Sequence, residues 1–184
     1  MIKIGITGAI ASGKTTASKI LSSKKGPLFS ADKVVKELYK NSNFKKLIIK
    51  KFKIKKNFNS IKLLKREVLK NNENIKKLEK IIHPIVRIKM KKFATLHKKR
   101  KRVFFEIPLL VESNLMKYFD IIVLIRANKK LRLKRFKAKG GNKKLFDILN
   151  NKQLSDIKKI KFSNHIIVNE KNLLILKKKL LSII

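Results

Sequence analysis

Residues 2–15 read IKIGITGAIASGKT, an Ile-rich apolar run followed by a loop of small residues. The loop matches the P-loop pattern, in which a glycine, four free positions and Gly-Lys-Ser/Thr follow a buried strand. In that arrangement backbone N–H groups cradle a polyphosphate at the N-terminus of the next helix. The pattern therefore predicts a nucleoside triphosphate site formed by Gly8, Ala11, Ser12, Gly13, Lys14, Thr15 and Thr16.

Two side chains of this loop have distinct predicted roles. Lys14 is placed to reach the β- and γ-phosphates, and the Thr15 hydroxyl is a ligand for Mg²⁺. The loop alone does not separate a kinase from a GTPase or an ATPase, so the rest of the chain must decide the reaction.

Strands and helices alternate along the chain, which indicates the α/β class. Short apolar runs predict strands, and longer amphipathic runs predict helices, with Pro84 opening a new helix. Together they predict a doubly wound, parallel five-stranded sheet with helices on both faces and ligands at the carboxyl ends of the strands. The predicted strands are 2–7, 28–31, 102–107, 120–125 and 165–168; the predicted helical stretches are 14–23, 34–96, 131–136 and 173–184. Residues 142–162, polar and rich in lysine, are interpreted as a mobile surface segment.

The charge balance is strongly basic, with 50 Lys plus Arg against 11 Asp plus Glu and a formal net charge of +39. Such a balance is typical of proteins that bind nucleic acid or anionic membranes. The lysines are spread over the whole chain, which favours compositional drift and no obligatory nucleic-acid partner. A basic nucleic-acid-binding protein with an inert loop is the alternative from a different class.

Length and composition predict a single domain over residues 1–184, acting as a monomer. The chain has no cysteine, so disulfides and thiolate chemistry are excluded. No apolar run reaches the roughly 18 residues needed to cross a bilayer. The N-terminus enters a strand without a signal-peptide pattern, and a cytoplasmic protein with no membrane partner is expected.

Three carboxylates follow predicted strands and are candidates for catalysis. Asp32 could accept a proton from an acceptor hydroxyl or hold a Mg²⁺-bound water, and it could equally cap the next helix. Glu106 could serve Mg²⁺ or face the solvent as a strand-end charge, and Glu112 is a weaker candidate of the same kind.

Among the basic residues, Arg135 is the best candidate for neutralising transition-state charge, because arginine binds phosphate bidentately and only seven arginines occur. Gly140-Gly141 offers a hinge behind it. His83 precedes Pro84 and is interpreted as a structural hydrogen-bonding group or as a catalytic one.

These residues together resemble the dephospho-CoA kinase family. The similarity covers nearly the whole chain in order, through the P-loop, Ser30-Ala31-Asp32, His83-Pro84, Pro108–Glu112, and the series from Gln153 through Lys159 or Lys161 to Asn169. The Pro-Leu-Leu-x-Glu segment and the Gln-to-Asn series are the more specific motifs.

The resemblance implies transfer of the ATP γ-phosphoryl group to the 3′-hydroxyl of the dephospho-CoA ribose, with Mg²⁺ as cofactor. It implies a helical acceptor-binding region over 33–100, a lid over 139–160 and an Asn169 that lies near the adenine of ATP. It makes Asp32 the general base or a carboxylate on the metal side, and it assigns Lys14 to the phosphates. With Arg135 from the argument above, these are the predicted catalytic residues. Acceptor binding falls to Asp32, His83, Leu109 and Glu112.

Four positions depart from the family pattern, and one of them is Lys171, where a glycine is expected two residues after Asn169. Ala9 and Ala11 replace glycines of the loop, and alanine is strained by roughly 1 kcal/mol wherever φ is positive. Lys139 stands where the lid arginine is expected and offers charge without a bidentate fork.

A nucleoside monophosphate kinase on the same scaffold is the second alternative. It would need arginines in region 33–100 to clamp an acceptor phosphate, and only Arg66, Arg87 and Arg100 occur there.

Overall fold

The computed structural model describes residues 1–54 and 60–183. Within these residues a single sheet has the strand order β2-β3-β1-β4-β5. Every neighbouring pair is parallel, which confirms the predicted α/β fold with a five-stranded parallel sheet. The strands are β1 (Ile2–Gly8), β2 (Leu28–Ser30), β3 (Arg102–Glu106), β4 (Ile121–Arg126) and β5 (His165–Val168).

The helices fall in two compact units of the chain. Unit 1 comprises residues 1–30 and 94–184, and unit 2 comprises residues 31–93. Unit 1 contains the sheet with α1 (Lys14–Ser22), α6 (Lys129–Lys137), α7 (Lys143–Asn151), α8 (Asp156–Ile160) and α9 (Leu173–Leu181). Unit 2 contains α2 (Ala31–Leu38), α3 (Ser42–Lys51), α4 (Ser60–Val68) and most of α5 (Asn72–Leu96). None of these helices, over the described ranges, is long and apolar enough to cross a membrane.

The core of unit 1 fixes the start of α1 against the central strand. One face of β1 packs on the apolar sides of α1 and α9, because the isoleucines of β1 alternate toward that face. The buried residues of this contact include Ile4, Ile6, Ala17, Leu21, Leu176 and Leu180. Since both ends of the P-loop belong to elements packed in this core, its path is tied to the carboxyl end of β1.

The strand order brings three strand ends to one edge of the sheet. Strand β1 lies between β3 and β4, with Ile6 opposite Glu106 and Gly8 opposite Ile125. The loop that follows Gly8 therefore lies beside the last residues of β3 and β4. This is the edge where parallel α/β sheets bind their ligands.

The prediction that Pro84 begins a new helix is wrong, because Pro84 lies inside α5. A proline within a helix removes one backbone hydrogen bond and normally breaks or kinks it. Here Ile81 and Ile82 before it and Ile85 after it all pack in the same apolar cluster of unit 2. Burial on both sides of the proline thus outweighs the local preference for a break.

The interpretation of residues 142–162 as a polar surface segment is also wrong. The structure forms α7 and α8 there, and the side chains of Phe146 and Lys159 are completely buried. Lysine normally indicates an exposed position. Lys159 departs from that rule because its ammonium lies 2.7 Å from the Glu112 carboxylate.

Candidate active site

The loop between β1 and α1 takes a path that only glycine can follow at two positions. Gly8 has φ 152° and Gly13 has φ 96°. A Cβ at Gly8 would collide with the backbone oxygen of Ile125, and a Cβ at Gly13 would collide with the amide nitrogen of Asn169. Both glycines of the predicted pattern are therefore required by close contacts as well as by backbone conformation.

Ala11 also has a positive φ, at 57°. Ala9 is not among the described residues with a positive φ. The strain expected from the sequence therefore falls on Ala11 alone. Alternation of ordinary and left-handed backbone turns successive N–H groups toward one concave side, an arrangement that binds anions. The loop keeps this shape even though alanine pays a conformational cost at its centre.

Replacing Ala11 with glycine is expected to raise the free energy of unfolding by about 0.5–1 kcal/mol, because glycine adopts positive φ without a Cβ clash. For a chain of this length that corresponds to a Tm increase of about 1–4 °C. The matched control is Ala9→Gly, which relieves no strain and adds unfolded-state entropy, so it lowers the Tm. Thermal unfolding followed by circular dichroism measures both, and an A11G protein no more stable than A9G would contradict the strain.

The first turn of α1 supplies the positive end of the site. Gly13 is its N-cap and provides no side-chain hydrogen bond, so the N–H groups of the first turn are not capped by that residue. The helix macrodipole adds partial positive charge at the same point. Beside it, Ser12 is fully buried, and its hydroxyl has no hydrogen-bond partner among the described residues.

Lys14 lies back across the loop rather than extending into solvent. Its side chain is 8% exposed, and Nζ donates to the backbone oxygen of Ala9 at 2.9 Å. A lysine ammonium held in this way is a fixed positive charge beside the cradle. Thr16, two residues further along α1, is exposed.

Thr15 and Glu106 form a pair at the carboxyl edge of the sheet. The Thr15 hydroxyl donates to Glu106 Oε1 at 2.5 Å, and the Glu106 side chain is 2% exposed. The alternative of a strand-end charge facing solvent is therefore wrong. A hydroxyl and a carboxylate are oxygen donors of the kind that Mg²⁺ prefers, so this pair fits a magnesium site that is completed by phosphate oxygens and water. No cluster of three or more His, Cys, Asp or Glu within residues 1–54 and 60–183 could hold a metal without them.

Asn169 and Arg135 connect the end of β5 to the loop. Asn169 is 7% exposed, and its amide Nδ2 donates to the backbone oxygen of Ser12 at 2.8 Å. The Arg135 guanidinium donates to the backbone oxygen of Asn169 at 3.0 Å. The structure thus brings Asn169 into direct contact with the P-loop, and Arg135 contacts Asn169.

The segment Pro108–Glu112 follows β3 and is anchored at both ends. The Thr7 hydroxyl donates to the backbone oxygen of Pro108 at 3.1 Å. Glu112 Oε1 accepts the N–H of Leu154 at 3.0 Å and lies 2.7 Å from the Lys159 ammonium. Leu109, between these anchors, is partly exposed. In this structure Glu112 therefore binds residues of 154–159, and its other oxygen has no hydrogen-bond partner among the described residues.

Among the arginines that follow the fourth strand, the sequence favoured Arg135 over Arg132. The Arg132 guanidinium is 7% exposed and donates to the backbone oxygen of Ile10 in the P-loop at 3.3 Å. Gln153, which entered only as a motif residue, accepts the N–H of Ile10 at 2.7 Å. The scarcity of arginine in a lysine-rich chain was a usable signal, but it could not distinguish Arg132 from Arg135.

Two predicted residues belong to unit 2. Asp32 is exposed and lies in the first turn of α2, where negative charge is favourable, so it follows β2 without being the N-cap. His83 is partly buried on α5, and this burial lowers the pKa of its imidazole below the ordinary value. Glu79 opposes that change and Arg87 adds to it.

Unit 2 also has a cavity of about 460 Å³ with a mixed lining. Phe52, Ile54 and Leu63 provide apolar surface. The charged lining residues are Lys53, Arg66, Glu67 and Lys70.

The sheet and the glycine-bounded loop with its buried lysine define a P-loop kinase fold. The family model described as dephospho-CoA kinase matches residues 2–174. The chain belongs to the dephospho-CoA kinase family.

Individual relatives agree with this assignment. The dephospho-CoA kinase of Ehrlichia canis (strain Jake) is 33% identical over 190 residues, covering 98% of this chain and 95% of the relative. The dephospho-CoA kinase of Fusobacterium nucleatum subsp. nucleatum is 37% identical over 175 residues, covering 92% of this chain and 90% of the relative. The solved structure of a dephospho-CoA kinase from Campylobacter jejuni has a TM-score of 0.64 at 26% identity, covering 98% of this chain and 94% of that one.

Proposed function

We propose that this protein transfers the γ-phosphoryl group of ATP to the 3′-hydroxyl of the dephospho-CoA ribose, giving coenzyme A and ADP. The observation that carries the proposal is the structure of the loop between β1 and α1. Gly8 and Gly13 give it a backbone conformation with positive φ, and the buried Lys14 side chain lies across it. Membership of the dephospho-CoA kinase family supports dephospho-CoA as the acceptor.

The phosphates of ATP bind at the loop and the start of α1. The N–H groups of the first turn and the Lys14 ammonium face the β- and γ-phosphates, where charge builds up during transfer. The buried Ser12 hydroxyl is a further donor at this point, since no described protein group uses it. Asn169 lies near the adenine in this proposal and fixes the loop through Ser12.

Thr15 and Glu106 are the residues that would hold Mg²⁺, together with oxygens of the nucleotide. When bound, the ion neutralises charge on the β- and γ-phosphates. Glu106 also orients Thr15, because its carboxylate accepts a hydrogen bond from the Thr15 hydroxyl and so fixes the direction of the lone pairs on that oxygen.

Asp32 is the general base of the proposed reaction. Its carboxylate accepts the proton of the ribose 3′-hydroxyl as that oxygen forms a bond to the γ-phosphorus. The bond between the γ-phosphorus and the β,γ-bridging oxygen breaks, and its electron pair leaves with ADP. Arg135, which is hydrogen-bonded to the backbone oxygen of Asn169, contributes positive charge that stabilises the transition state in this proposal.

The acceptor is bound by the helical region 33–100 in this proposal, and residues 139–160 act as the lid. The cavity in unit 2 supports an anionic acceptor with an apolar part, since it combines aromatic and aliphatic side chains with Lys53, Arg66 and Lys70. His83, Leu109 and Glu112 are proposed to contribute to acceptor binding. Glu112 does so indirectly, by accepting the backbone N–H of Leu154.

The experiment is an incubation of the purified protein with ATP, Mg²⁺ and dephospho-CoA. We expect one equivalent of ADP for each equivalent of 3′-phosphorylated product, identified by ³¹P NMR and mass spectrometry. Nucleoside monophosphates are the control acceptors. Phosphorylation of a nucleoside monophosphate without formation of coenzyme A would replace this proposal by a nucleoside monophosphate kinase.

Replacing Glu106 with glutamine is expected to raise the Mg²⁺ concentration for half-maximal activity by about tenfold. Glutamine can still accept a hydrogen bond from the Thr15 hydroxyl, but the substitution removes the negative charge from the proposed metal site. The matched control is Glu170→Gln, since Glu170 is an exposed carboxylate that accepts the N–H of Asn128. An unchanged Mg²⁺ requirement in E106Q, measured at saturating substrates, would remove Glu106 from the metal site.

A further inference from the structure

The tip of the P-loop is held at one residue by two distant side chains. Ile10 donates its N–H to Gln153 Oε1 at 2.7 Å and accepts Arg132 Nη1 at its oxygen at 3.3 Å. Both polar backbone groups of Ile10 are thus engaged by residues that follow β4. These two hydrogen bonds involve only the backbone of Ile10. A sequence motif, which is defined by side chains, therefore does not reveal them.

Arg132 is rigidly placed for this contact. Nε donates to the backbone oxygen of Ala127 at 3.0 Å, and Nη1 also donates to Asn150 Oδ1 at 2.8 Å. The guanidinium lies over the Phe146 ring, 5.6 Å from its centroid. Burial lowers the pKa of Arg132 from its ordinary value and Asp156 opposes this, but an arginine stays protonated at neutral pH. A buried cation with this many contacts cannot move without losing several of them.

The orientation of Ile10 determines the direction of the backbone that follows it. Ala11 comes next with a positive φ of 57°, and Gly13 follows with φ 96°. If the peptide groups on either side of Ile10 rotated, the strained turn at Ala11 could relax and the N–H groups of the cradle would lose their common direction. The hydrogen bonds to Ile10 matter more with alanine at position 11 than they would with glycine, because alanine disfavours the left-handed conformation.

We infer that Arg132 and Gln153 are positioning residues, which hold Ile10 so that the cradle is formed before the nucleotide binds. This inference rests on the proposed function of the loop as a phosphate site. Preorganised donors bind and stabilise charge better than donors that must be ordered by the ligand. The contacts also attach α7 and the segment after it to the loop, so residues predicted as lid share an anchor with the cradle.

The test measures binding of inorganic tripolyphosphate by isothermal titration calorimetry, in the absence of acceptor. Gln153→Met keeps the length of the side chain and removes the acceptor, and Arg132→Met removes the guanidinium. We expect Kd to rise about fivefold in Q153M, as for loss of one neutral hydrogen bond, and about tenfold or more in R132M. Because both act through Ile10, the double variant should bind about as weakly as R132M alone rather than at the product of the two effects.

Steady-state kinetics supply a readout that a purely structural role would not change. The KM for ATP should rise in Q153M, with the KM for dephospho-CoA unchanged within twofold. The matched control is Arg126→Met, which breaks the 3.3 Å contact between Arg126 and Asp156 and so loosens the same segment without touching the P-loop. Its tripolyphosphate affinity should equal that of the unmodified protein.

Several outcomes would overturn the inference. It fails if folded Q153M binds tripolyphosphate as tightly as the unmodified protein, or if R126M weakens binding as much as Q153M does. Should R132M not fold, Q153M and its kinetics decide alone. If the unmodified protein does not bind tripolyphosphate at all, the phosphate cradle of the proposed function fails as well, and the two failures are thereby distinguished.

Discussion

Replacing Lys14 with alanine is expected to lower kcat for phosphoryl transfer by about a hundredfold to a thousandfold. Lys14 is 8% exposed and bonded to the backbone oxygen of Ala9, so its charge is fixed beside the cradle before ATP arrives. Alanine leaves the backbone donors of the loop in place but removes the cation that the γ-phosphoryl group faces during transfer. Single-turnover measurements at saturating ATP and dephospho-CoA would give the chemical rate directly.

The matched control for this change is Lys19→Ala, on the exposed side of the same helix. Its rate should stay within twofold, since removing one of many surface lysines changes the field only slightly. A K14A protein that keeps more than a tenth of the rate would contradict the role of Lys14. Loss of both ATP binding and transfer in K14A would also rule out the alternative of a basic nucleic-acid-binding protein with an inert loop.

Replacing Asp32 with asparagine should lower kcat by about 10²- to 10⁴-fold, the range contributed by a positioned general base. Asparagine has nearly the same shape, but its amide cannot accept the proton of the ribose hydroxyl. Because Asp32 lies in the first turn of α2, loss of its charge should also reduce stability by about 0.3–1 kcal/mol. The KM for ATP should change little, because the phosphate cradle is untouched.

Glu37→Gln is the control for Asp32, as Glu37 is an exposed carboxylate on the same helix. We expect it to keep full activity. If D32N and E37Q have equal rates, or if D32N loses activity only in proportion to unfolded protein measured by circular dichroism, Asp32 is not the base.

Local signals predicted the strands well because each is a short apolar run bounded by a turn residue. The predicted strand 165–168 coincides with β5, three others differ from the structure by one residue at one end, and 120–125 is shifted by one residue from β4. The position of the loop between β1 and α1 was also predicted from sequence, since the glycine spacing reflects the backbone shape that the structure has at Gly8 and Gly13. Residues 55–59, part of the predicted acceptor region, lie outside the described residues.

Errors arose where distant contacts override local preference. Pro84 stays within a helix because apolar residues on both sides pack in one cluster, and no window of sequence shows that cluster. Lys159 is buried because Glu112, far away in sequence, pairs with it. Arg135 was preferred over Arg132 for a related reason, because the partner of Arg132 in the P-loop is a backbone oxygen, which no sequence motif reveals.

The position of β1 in the sheet has a consequence for synthesis of the protein. It is made first, yet its sheet partners are β3 and β4, which begin at Arg102 and Ile121. Until the ribosome has passed those residues, an Ile-rich strand remains unpaired while the helices of unit 2, whose contacts are more local, can already form. The nascent chain therefore exposes an unpaired apolar strand of the kind that associates with other chains, and binding of that strand by a chaperone during translation would protect the future phosphate site.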